Sequence, residues 1–86
     1  MQYHEITDQM RQAEAAYKQA IRNKDRADNA CHAAYATDDA ERKQAATRDC
    51  ILCRRDIRNA AYECRLAGWG WARNAQPCTV TYEWEQ

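Results

Sequence analysis

Apolar and small residues recur along the first half of the chain at alternating steps of three and four. Tyr3, Ile6, Met10, Ala13, Tyr17, Ala20, Lys24, Ala27, Cys31 and Ala34 form one unbroken stripe, with Lys24 its sole charged member. This spacing puts every member on one face of an α-helix and matches the a/d stripe of a coiled coil. No Gly or Pro interrupts it. The pattern predicts a helix about 50 Å long at about 1.5 Å per residue.

A second stripe runs through Ala46, Cys50, Cys53, Ile57, Ala60, Cys64 and Ala67 and stops at Gly68, a residue type that ends helices. Thr37, Asp38 and Asp39 lie between the stripes, and Asp38 with Glu41 has capping-box spacing. The expected order is a helix over about 3–35, a turn at about 36–38, a helix over about 39–67 and a tail over about 68–86, all in one domain. The fold class is therefore all-α: a long antiparallel helical hairpin, coiled-coil-like, with an Ala/Cys-rich seam. A tight turn pairs Ala27 with Ala46, Ala20 with Cys53, Tyr17 with Ile57 and Met10 with Cys64. It also sets Lys24 against Cys50, where a polar side chain fixes register at some cost in stability.

Apolar residues also lie off the seam. Ile21 and Tyr35 flank the first stripe, while Ala45, Leu52, Tyr62 and Leu66 form a second face on the other helix. A two-helix hairpin cannot cover both faces, so the second must meet the tail, a second copy or a partner. The tail opens with Gly68-Trp69-Gly70-Trp71, which argues against continued helix, and Asn74 to Pro77 reads as a turn. From Cys78 to Trp84, Val80, Tyr82 and Trp84 alternate with Thr79, Thr81 and Glu83. That alternation allows one short β-strand. Such a strand could lie as an extended arm on the hairpin, pair with its copy in a dimer, or add to a partner's sheet.

Composition narrows the function. A chain of 86 residues with two Gly, one Pro, two Leu and no Phe must build its core from Ala, Cys, Ile and Tyr and is marginal alone. Thirteen basic and thirteen acidic side chains cancel, whereas a generic polyanion binder carries a basic excess. No apolar run approaches the roughly 20 residues that span a bilayer, and Met1 to Met10 lack a secretory leader pattern. Five cysteines, an odd number among few loop-forming residues, fit reduced thiols better than a disulfide framework. The expected setting is the cytoplasm of a bacterial cell.

Cys50-Ile51-Leu52-Cys53 is a CxxC, the spacing of half a zinc site or a redox pair. Both cysteines are also consecutive seam positions, and a core of small hydrophobes accounts for them fully. No metal and no cofactor is expected, with a Cys-based metal-binding protein kept as a second alternative. His4 and His32 sit beside the seam without the partners of a catalytic triad. A helical hairpin also offers no deep pocket, so no catalytic residue and no enzyme activity is expected.

Arg54, Arg55 and Arg58, extended by Arg48 and Arg65, make the clearest charge cluster, with Asp49, Asp56 and Glu63 interleaved. Arginines in this number suit phosphates or an acidic protein surface, while the mixed signs suit a solvated helix face. Trp69, Trp71, Tyr82 and Trp84 place half of the eight aromatics in the last 18 residues. Such side chains either close the open end of the hairpin, with Trp71 near Tyr3, or serve as binding anchors.

The expected function is a small protein-interaction module, an inhibitor or adaptor that binds and occludes a host or target protein. Compact accessory factors of phages and mobile elements, including anti-defence and host-takeover factors, offer an analogy of type. The expected partner-binding residues are Leu52, Arg54, Arg55, Arg58, Tyr62, Leu66, Trp69, Trp71, Tyr82 and Trp84. A homodimer is expected and no membrane association. Nucleic-acid binding through the arginines is the first alternative.

Overall fold

The computed structural model describes residues 5–85. Helix α1 spans Asp8–Tyr35 and helix α2 spans Ala40–Ala67. They pack antiparallel as the hairpin the two stripes predict, and the described residues contain no strand. Both helices start at side-chain caps. Thr7 Oγ1 accepts from the Met10 N–H at 3.1 Å, so α1 begins later than the stripe implied; Tyr3 and His4 lie outside the described residues. Asp39, rather than Asp38, caps α2 by accepting from the Arg42 N–H at 3.2 Å. Thr37 causes that one-residue shift. Its hydroxyl donates back to the Ala34 carbonyl at 2.6 Å and so carries the turn through Ala36 to Asp39.

The buried side chains of the two helices come from the two stripes, and Ala72 of the following turn is buried with them. Met10, Ala20 and Ala34 of α1 and Ala46, Cys50 and Cys64 of α2 are buried, and Cys64 is fully enclosed. The two stripes interlock one helical turn away from the expected register. Ala27 meets Cys50, whose thiol donates to the Ala27 carbonyl at 3.5 Å, instead of Ala46. Met10 meets Gly68, its sulfur 3.8 Å from where a Cβ would stand there, instead of Cys64. Small residues repeat along both stripes, so a slide by one stripe position still puts small against small, and spacing alone cannot separate the two registers.

Lys24 accordingly does not face Cys50. Its Nζ binds Asp28 Oδ2 at 2.8 Å on its own helix, and the Cys50 thiol donates to Asp28 Oδ1 at 3.6 Å. Hydrogen bonding to Lys24 is the largest reason the Asp28 carboxyl sits below its usual range. Asp28 is thus the polar group that joins the helices at this level of the seam.

α2 ends in a Schellman turn. Gly68, at φ 112°, donates to the Arg65 carbonyl at 3.1 Å, and Trp69 donates to the Cys64 carbonyl at 3.0 Å. This is the left-handed backbone that glycine adopts without strain. A 3-10 turn at Gly70–Ala72 then reverses the chain. Residues 76–82 run back along the outer flank of α2 as an irregular extended arm, one of the outcomes the alternation allowed, without forming a strand, and end in a second 3-10 turn at Glu83–Glu85.

Polar side chains of α2 hold this returning arm. Arg65 donates to the Ala75 carbonyl at 2.9 Å, Asn59 Oδ1 accepts from the Cys78 N–H at 2.8 Å, and Arg55 pairs with Glu85. A strand needs a ladder partner. Here the arm's backbone meets helix side chains, which have no ladder to offer. The molecule measures 57 × 25 × 18 Å, an elongated slab with α2 between α1 and the arm.

Candidate functional site

The turn end of the slab carries an open groove. Asp28, His32 and Tyr35 project from the last turns of α1 at helical spacing and form one wall. Thr47, Ile51 and Arg54, three to four residues apart on α2, form the floor. The cavity between them is about 450 Å³. A second cavity, also about 450 Å³, shares Tyr35, Thr47 and Ile51 and reaches Lys43, Arg48 and Trp84. The shared residues make the two one continuous trough, with α1 on one side and the end of the arm on the other.

The aromatic side chains along it are held in place. Tyr82 and Trp84 stack with ring centroids 4.4 Å apart and planes 6° from parallel. The Arg48 guanidinium lies over the Trp84 ring at 5.5 Å, and the Tyr35 hydroxyl bonds Thr47 Oγ1 at 3.0 Å. The Lys43 ammonium lies 5.9 Å from the centre of the Tyr35 ring. Even so, Tyr35 remains 58% exposed and Trp84 37%.

The local charge is positive. Lys43, Arg48 and Arg54 line the trough, and Arg55 and Arg58 line a smaller hollow that continues it beneath Tyr82 and Cys78. Asp28 is the sole carboxylate in the lining, and Lys24 already engages it. Glu85 anchors the arm. Its carboxyl is held below its usual range, first by the Tyr82 N–H and then by Arg55, whose guanidinium is held above its own by the same bond.

The ten residues expected at a partner surface do not form one patch. Arg54, Arg58, Tyr82 and Trp84 come together along the trough and its continuation. Arg55 is committed to Glu85. Leu52 lies on the opposite face of the hairpin, in a shallow groove with Asn23, Arg26, Ala30 and Cys53. Tyr62 is half-buried beneath the Arg65 guanidinium at 5.8 Å, and Leu66 stands alone at the open end, 57% exposed. Trp69 and Trp71 close that end. Trp69 Nε1 donates to the Met10 carbonyl at 2.8 Å, and Trp71 packs on Tyr17 with centroids 5.2 Å apart. Trp71 was expected beside Tyr3, which lies outside the described residues.

The trough also uses His32, Tyr35, Lys43, Thr47 and Ile51, none of which sequence reasoning assigned to a site. The available signal was the spacing of Thr47, Ile51, Arg54 and Arg58, a second stripe beside the seam. Its outer wall, the arm, has no periodic signature. Cys50 and Cys53 line grooves on opposite faces, so the CxxC does not present its thiols to one ligand. Among the described residues no group of three His, Cys, Asp or Glu side chains is placed to hold a metal ion.

No family model matches this chain, and neither a curated protein nor a solved structure matches it. Among the described residues no helix is long and apolar enough to cross a membrane.

Proposed function

We propose that the protein is a non-catalytic interaction module, an inhibitor or adaptor that docks an acidic, apolar-faced segment of another protein in the turn-end trough. The observation that carries this reading is the joint presence of Tyr35, Ile51 and Trp84 with Lys43, Arg48 and Arg54 on one open surface. Aromatic and arginine side chains around a concave apolar floor have the chemistry of binding hot spots, and the excess of cations over the single lining carboxylate, Asp28, favours a negative partner.

The amount of exposed surface supports it. A folded monomer of 10.0 kDa exposes about 5,200 Å² by the usual mass scaling, and this chain exposes 6674 Å². The surplus is roughly the share one partner buries in a standard interface, about 800 Å² or more. The radius of gyration, 16.1 Å, likewise exceeds the roughly 12 Å of a compact chain of this length.

A different protein suits the trough better than a second copy, because symmetric pairing of two troughs would set Arg54 and Lys43 against the same cations. The first alternative, a nucleic acid gripped by the arginine cluster, loses much of its basis. Arg55, Arg58 and Arg65 direct their guanidinium groups to the arm, at Glu85, Cys78 and Ala75.

The test is affinity purification with wild-type chain, Arg54→Glu and Leu52→Ser in parallel, followed by binding measurements on the recovered protein over a salt series. The proposal expects a stoichiometric partner that Arg54→Glu loses and Leu52→Ser keeps, with affinity falling as salt rises. Equal retention by both variants, or loss only with Leu52→Ser, overturns it.

A further inference from the structure

The cysteines that share a groove are not the pair the CxxC brings together in sequence. Cys50 and Cys53 open onto opposite faces of the hairpin. Cys50 instead points across the seam toward α1, its sulfur 3.5 Å from the Ala27 carbonyl. In a helix that carbonyl receives the N–H of the residue four positions on, which is Cys31, so the Cys50 sulfur lies against the turn of α1 that carries Cys31. Cys31 is also among the neighbours that act on the Cys50 thiol. Both are free, both line the trough, and Cys31 is only half-buried while Cys50 is buried.

We propose that Cys31 and Cys50 form a reversible interhelix disulfide when the protein meets a peroxide. The two positions divide the work. Burial and the neighbouring Cys31 and Asp28 push the Cys50 thiol up to about 11, so it stays protonated and is a poor first nucleophile. Cys31, on the more open side, attacks. Its thiolate sulfur displaces hydroxide from hydrogen peroxide; the O–O bond breaks and an S–O bond forms, giving a sulfenic acid. The Cys50 sulfur then attacks the Cys31 sulfur. The S–O bond breaks, the S–S bond forms, and hydroxide leaves with the Cys50 proton as water. In sum, two thiols and one peroxide become one disulfide and two waters: the sulfurs give up two electrons and the peroxide takes them.

The product cross-links the last turns of α1 to the first half of α2 and closes a loop around the helix-to-helix turn. It fixes the α1 wall of the trough to its floor. A thiol reductant reverses it.

The experiment treats the reduced, full-length protein with one equivalent of hydrogen peroxide and maps its cysteines by mass spectrometry after proteolysis without reduction. Cys50 and Cys53 fall on one tryptic peptide, between Arg48 and Arg54, so the Cys53→Ser chain is mapped beside wild type. The expected result is a monomer lighter by two hydrogens, with a cross-linked peptide joining Cys31 to Cys50 in both chains. Its melting temperature should rise and return to the starting value with dithiothreitol. The Cys50→Ser chain, checked for helicity by circular dichroism, should form no such link. A Cys50–Cys53 loop within one peptide, disulfide-linked dimers, or Cys31 driven to sulfinic acid with Cys50 still a thiol each overturns the proposal.

Discussion

The two ends of the hairpin are finished in opposite ways. At the open end the chain folds back on itself: Gly68 turns it, Trp69 bonds back to Met10, Trp71 lies on Tyr17 with its outer side exposed, and Ala72 is buried. At the turn end Tyr82 and Arg48 back the Trp84 ring and Lys43 lies over Tyr35, but the trough bounded by Tyr35, Ile51 and Trp84 stays open. Each end receives two of the tail's four large aromatic side chains. Trp69 is half-buried and bonded to the hairpin, Trp71 packs on Tyr17 yet stays 55% exposed, and Tyr82 and Trp84 line the trough, so aromatic richness in the tail carries meanings that only position separates.

This contrast makes ordered predictions. Changes to the open-end aromatic Trp69 and to the backbone caps should cost stability, and changes to the side chains lining the trough should cost binding. The largest effect is expected from Trp69→Ala, which removes both packing and the bond to Met10. A loss of about 3 kcal/mol in urea unfolding, the low end for a Trp truncation, is expected for this half-buried ring. Gly68→Ala comes next, at about 1–2 kcal/mol, because a side chain must adopt positive φ there. The space itself is adequate, with Met10 at ordinary contact distance. Asp39→Ala removes the cap of α2 at the turn end and should cost about 1 kcal/mol.

Trp84→Ala is the sharpest test of the contrast. Stability should fall by only about 1 kcal/mol, the worth of the stack on Tyr82, while partner affinity falls about tenfold or more, as for a hot-spot aromatic. If Trp84→Ala unfolds the chain while Trp69→Ala leaves it stable, the two ends have been assigned the wrong way round.

The smallest effect concerns pH. The Glu85 carboxyl is held below its usual 4.5 by the Tyr82 N–H and by Arg55. A depressed carboxyl stabilises the docked arm above its unfolded value and loses that contribution as pH falls through the folded one. Acidification below about 4.5 should therefore shift Trp84 fluorescence toward water with little change in helicity, and Glu85→Gln should abolish that transition.

Legibility of the sequence divides along the same line. The seam was readable because each helix repeats small and apolar residues at a fixed step, from Met10 to Ala34 and from Ala46 to Ala67. Its register was not, since the repeat is degenerate to a slide of one turn and Asp28, which joins the helices, sits beside the stripe. The start of α2 was misplaced by one residue because Asp38 and Asp39 are equally good caps until Thr37 bonds back to Ala34. The tail was readable as extended chain, but whether it lay on the hairpin or paired as a strand was not, because alternation of Val80, Tyr82 and Trp84 does not show what the chain lies against. Its anchors, Asn59, Arg55 and Arg65, are scattered polar residues that resemble an ordinary solvated helix face. The arginine cluster was visible, but the direction it faces was not.

The central claim is that the trough, and not the open end, meets a partner. Photo-crosslinking from the two sites tests it most directly. Benzoylphenylalanine is placed at position 84 in one chain and at position 66 in another, each is irradiated with the recovered partner, and the linked peptides are sequenced. The account predicts efficient linkage from position 84 to an acidic, apolar-faced segment and none above background from position 66. Linkage from position 66 with none from position 84 would contradict it.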